Sequence, residues 1–135
     1  MSRTTWRAIA RLIGALTVLA GAVQTLAPGF IARLIGAAPE PATLQFAATV
    51  GMFMVLFGGM LLQATREGPA ARSLVAWCAA QKLGASIAVT IGVVHGALGW
   101  FALLIAFQDF ISSFLLFGYL GKLGSGGGSE YARGA

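Results

Sequence analysis

A chain of 135 residues has room for one small domain, yet 58% of it is hydrophobic before its 19 glycines are counted. That already exceeds the apolar share of a soluble domain, about 45–50% with glycine included. Nine basic and four acidic residues, net charge +5, cannot cover a soluble fold of this size; a soluble globular enzyme and a disordered chain are excluded, and a polytopic membrane protein is left.

In chain order, the first apolar span is predicted over 8–27, opened by Trp6 and Arg7 and stopped by Pro28-Gly29. Arg3, Arg7 and Arg11 followed by Leu12 to Leu19 and Ala20-Gly21-Ala22 also have the outline of a signal peptide. The apolar run continues to Ala27, so a retained span is expected. The segment Phe30 to Ile35 is too short to cross hydrocarbon and reads as an interfacial helical turn with Arg33 facing headgroups. After Pro39-Glu40-Pro41, a second span is predicted over 43–64. A third follows Arg66-Glu67-Gly68-Pro69 over 71–94, and a fourth covers 98–120 before Gly121-Lys122. The expected fold is all-α, an antiparallel four-transmembrane-helix bundle over 1–123. The Gly/Ser-rich tail, 124–135, has flexible-linker composition.

The basic residues sit singly at the ends of apolar runs rather than on one surface, so they predict topology and no nucleic-acid partner. With the N-terminus in the cytoplasm, Arg3, Arg7, Arg11, Arg66, Arg72, Lys122 and Arg133 lie inside and Arg33 outside. By the positive-inside rule the expected topology is N-in/C-in, in a bacterial inner membrane.

Lys82 and Asp109 fall near the middle of the third and fourth spans, equally far from the turn at His95-Gly96-Ala97. A hairpin there brings the two charges to one depth. Unpaired, each would cost about 2.5–3.5 kcal/mol at a helix centre. Ser86 and Thr90 extend the Lys82 face by one and two turns, and Ser112 and Ser113 accompany Asp109, with Gln108 beside them. This polar seam suits a proton relay or a small polar ligand; the plainer expectation is an ion pair that fixes hairpin register.

Ala76, Ala80, Gly84, Ala88, Gly92 and Gly96 form a ridge of small residues at i+4 spacing, about 200° from the Lys82 face. The ridge is expected to pack against a helix of the bundle or a second protein. Gly14, Gly21, Gly51 and Gly58 offer partners at heptad spacing. On the fourth span Phe107, Phe110, Phe114 and Phe117 make a stripe facing lipid, a partner, or an apolar cofactor such as a quinone or pigment.

Cys78 is the single cysteine, which excludes an intramolecular disulfide and a multi-cysteine metal site. His95, at the outer end of the third span, is expected to be structural, with a single axial contact to a pigment or metal as the alternative. Metalloprotease, P-loop, nucleophile-elbow and CxxC motifs do not occur. The acidic residues Glu40, Glu67, Asp109 and Glu130 give no basis for paired-carboxylate or di-metal catalysis. No enzyme activity, metal site or obligatory cofactor is expected.

The first span ending in Leu26-Ala27-Pro28-Gly29-Phe30, the second around Val50-Gly51-Met52 and the third at Gln81-Lys82-Leu83-Gly84 carry a resemblance. Over 8–122 the plan resembles the DoxX-like group and related small four-helix bacterial membrane proteins. That resemblance implies a four-helix bundle, in some members linked to oxidoreductase assemblies, and assigns no functional residue. The leading expectation is an accessory subunit of a larger inner-membrane complex, respiratory or photosynthetic, whose partners are lipid and other membrane subunits. The alternatives are a small proton-coupled carrier using Lys82 and Asp109, and a pigment- or quinone-binding helper.

Overall fold

The computed structural model describes residues 2–124. Among them are five α-helices and no strand: α1 Arg3–Leu26, α2 Pro28–Leu34, α3 Pro41–Glu67, α4 Arg72–Val94 and α5 Ala102–Gly124, with a 3-10 turn at Gly68–Ala71. The helices α1, α3, α4 and α5 are each long and apolar enough to cross a membrane. The tail expected from residue 124 onward lies, after Gly124, outside the described residues.

Helix boundaries follow capping chemistry more than hydropathy. The Ser2 hydroxyl accepts a hydrogen bond from the Thr5 N–H at 3.2 Å, so α1 begins at Arg3, five residues before the apolar run expected at 8. Ala27 leaves helical geometry (φ −134°, ψ 57°) because it precedes Pro28, which then opens α2. Pro41 likewise starts α3, and its polar last turn, Gln63 to Glu67, carries the helix past the expected end at 64. The start of α5 moves the other way, from 98 to Ala102, because residues 95–101 are used in a turn.

That turn and the end of α2 share one construction. At α4 the Ala97 N–H donates to the Gly92 carbonyl (2.9 Å) and the Gly96 N–H to the Val93 carbonyl (3.0 Å). At α2 the Ala37 N–H donates to Ala32 (2.9 Å) and the Gly36 N–H to Arg33 (3.2 Å). Both are Schellman caps, and both need a left-handed residue, supplied by Gly96 (φ 72°) and Gly36 (φ 68°). The two loops are joined where the Gly99 N–H donates to the Ile35 carbonyl at 2.7 Å.

The long helices pack chiefly as two pairs, α1 with α3 and α4 with α5. In the first pair the backbones touch at two glycine crossings. A Cβ placed on Gly21 would lie 2.6 Å from the Gly51 carbonyl oxygen, and one on Gly58 would lie 2.8 Å from that of Gly14. The Gln24 amide donates across this interface to the Ala47 carbonyl at 2.9 Å. The α1/α3 glycines are therefore partners of one another.

Among the described residues most of the α4 ridge has no such partner: Ala80, Gly84, Ala88 and Gly96 are exposed, while Ala76, at the core edge, and Gly92, beside Leu98, are half-buried. A Cβ on Gly84 would meet nothing within 4 Å. The expectation that this ridge packs on a helix of the bundle is corrected. α4 turns Val75, Cys78, Ala79, Lys82 and Ser86 inward instead. This face is where its polar residue Lys82 is satisfied, by Asp109 of α5, and the ridge on the opposite side of the helix is left outward.

The shared core gathers where all four long helices meet, around Ala10, Ile13, Leu61, Ala64, Val75, Ala79, Leu116 and Tyr119. Trp6 packs over Gly118, joining α1 to α5; its indole Nε1 is buried without an acceptor. Large apolar side chains including Leu12, Phe46, Trp77, Val94, Leu104 and Phe107 point outward. Outward-facing hydrophobes over an inward polar pair are what an apolar solvent favours.

Candidate functional site: a buried ion pair at the helix junction

Along α4 and α5 residue numbers run in opposite senses. The Ser113 hydroxyl donates to the Ala79 carbonyl at 3.0 Å, and three residues further along α4 Lys82 Nζ donates to Asp109 Oδ1 at 2.6 Å. The side chains of the pair are only 5% and 9% exposed. The turn at 95–101 sets this register, and the Ser113 bond, a little over one turn away on α5, holds it. A charge-assisted hydrogen bond in a low-dielectric interior is strong, and each ion removes the other's need for water.

Around the pair, Ser86 and Ser112 are buried, and Thr90 is exposed. The Thr90 hydroxyl donates to the Ser86 carbonyl (2.8 Å), and the Gln108 amide donates to the Ser112 hydroxyl (3.1 Å). The seam is thus buried from Ser113 through Lys82 and Asp109 to Ser86 and opens at Thr90. There a lateral groove of about 370 Å³ runs between α4 and α5, lined by Ser86, Thr90, Leu103, Ala106, Phe107 and Phe110. Ser86 is one turn from Lys82 and Ala106 one turn from Asp109.

On its other side Lys82 borders a cavity of about 10 Å³, the room one water takes. Thr17 of α1, Phe57, Gly58 and Leu61 of α3, Cys78 and Gln81 of α4 and Leu116 of α5 complete its wall. The pair therefore sits where the two helix pairs meet. Gln81 is the chain neighbour of Lys82 and belongs to the third-span motif named above, whereas Thr17 was not singled out from sequence, because no one-dimensional pattern says which helix faces Lys82. Cys78 lies beside them, its thiol 3.5 Å from the Phe57 carbonyl, a packing position.

Phe107, Phe110, Phe114 and Phe117 are all exposed, and the rings of Phe110 and Phe114 stack tilted at 4.8 Å. His95 is exposed at the end of α4. Among the described residues no three His, Cys, Asp or Glu side chains gather as metal ligands. Chemically, the pair can lock two helices or exchange one proton between two groups, and the groove can hold a small amphiphile. In comparison with family models, curated proteins and solved structures, nothing matches this chain.

Proposed function

We propose that this chain is a non-catalytic accessory or assembly subunit of a larger complex in the bacterial inner membrane, respiratory or photosynthetic in kind. In this reading the four long helices cross the bilayer as an antiparallel bundle, as the resemblance to the DoxX-like group implies, with both termini cytoplasmic by the positive-inside rule. The observation that carries it is the bare α4 ridge: Ala80, Gly84 and Ala88 are exposed, and a Cβ on Gly84 meets nothing. A face of small residues admits another backbone at close range, and within a bilayer such packing is what joins helices. Native gels of gently solubilised membranes test the reading. The protein is expected in a large species, and Gly84→Leu is expected to release it as a folded small one. Migration of the wild type only as a free small species overturns the proposal.

A second reading, a small proton-coupled carrier or a pigment- or quinone-binding helper, is favoured by the groove in which Ser86 lies between exposed phenylalanines and the ion pair. It expects Asp109→Asn to abolish transport in proteoliposomes with helix content unchanged. A Lys82→Met/Asp109→Leu protein that transports like wild type excludes the carrier, and a featureless absorption spectrum of purified protein excludes a pigment.

A further inference from the structure

Three arginines recur at i, i+4 and i+8 on the first turns of α1, and they share one wall of a cavity. Arg3, Arg7 and Arg11 line a space of about 590 Å³ whose opposite wall is Tyr119 and Leu123 of α5. That volume lies within the about 300–1,000 Å³ of small-molecule sites. Among the described residues no carboxylate pairs with any of the three; Arg11 alone has a protein partner, its Nε donating to Thr65 Oγ1 at 3.2 Å. Three cations within about 12 Å along one helix repel one another. They also stand at the positive end of the α1 dipole, with no acidic residue in its first turn. The arrangement is unfavourable until an anion enters it. Guanidinium groups in a row suit phosphate oxygens, which they bind in bidentate fashion.

The rest of the cavity says which phosphate. Its remaining wall includes Ala8, and from Ala8 an exposed apolar strip continues along α1 through Leu12, Leu16 and Leu19, 60%, 49% and 62% exposed. A ligand held by the arginines thus has an apolar track beneath it, where an acyl chain belongs. We propose that the Arg3/Arg7/Arg11 cavity is a binding site for the phosphodiester headgroup of an anionic phospholipid. Basic pockets between helices at a membrane interface recognise such headgroups, and each arginine adds to the preference over zwitterionic lipid.

Native mass spectrometry of the purified full chain in neutral detergent tests this, with phosphatidylglycerol, phosphatidylcholine and inorganic phosphate as separate probes. Wild type is expected to retain phosphatidylglycerol in preference to phosphatidylcholine. Arg3→Gln/Arg7→Gln, which leaves the Arg11–Thr65 bond intact, is expected to weaken that retention about thirty-fold. Arg33→Gln, at the other end of the molecule, is expected to retain it fully, with circular dichroism showing equal helix content in all three proteins. Equal retention of the two lipids by wild type, or undiminished retention by the double variant, overturns the site. Binding of inorganic phosphate without any preference among lipids overturns the lipid assignment in favour of a free anion.

Discussion

Lys82 and Asp109 stabilise the fold only as a couple. Losing one partner leaves a buried charge alone, at a cost of about 3–5 kcal/mol, whereas replacing both by apolar groups is neutral or better. Asp109→Leu is therefore expected to lower stability by about that amount in chemical unfolding followed by circular dichroism. Lys82→Met/Asp109→Leu is expected to return within about 1 kcal/mol of wild type. The pair was legible in the sequence because one turn and two equal distances determine it. Its neighbour Thr17 was not, since that approach depends on how α1 docks on α4. The arginines show the same divide: their i+4 spacing is plain in the chain, but Tyr119, which faces them, is more than a hundred residues away.

At the scale of elements, small residues announce where backbones can meet and say nothing about which ones do. Gly21 and Gly51 on one hand, and Gly84 on the other, look alike in sequence. In the structure the first two touch across α1 and α3 and the third faces outward. Gly21→Val is expected to push α1 off α3 and cost about 1–3 kcal/mol or more, because its Cβ meets backbone that cannot give way. Gly84→Val is expected to leave the thermal unfolding midpoint of the isolated protein unchanged. Helix ends were legible to within a few residues wherever proline stood beside them. The late start of α5 was hidden because Leu98 to Phe101 are as apolar as the helix, and the Schellman cap after α4 removes them from it.

For the whole molecule, one end collects Arg3, Arg66, Arg72 and Lys122, and the other carries Arg33 with the loops joined through Ile35 and Gly99. If the proposed orientation holds, a cysteine at Ala38 in a Cys78→Ser background is labelled by an impermeant maleimide applied to intact cells. One at Glu67 is labelled only after the membrane is opened, and the reverse pattern inverts the topology. All-helical architecture and four long apolar helices were readable from composition and spacing alone, because apolar length and charge placement are local properties. Pairing as α1/α3 and α4/α5 was not, being decided by long-range contacts. This pairing has a consequence for biogenesis. The two buried charges belong to consecutive helices of one pair, separated only by the turn at 95–101, and their bond uses nothing from α1 or α3. If the chain spans the bilayer as proposed, α4 and α5 can enter it together on leaving the ribosome, as a hairpin whose charges are already joined, so that neither helix has to be accepted alone with an exposed ion. The first half of the chain then docks onto a partner that is electrically complete.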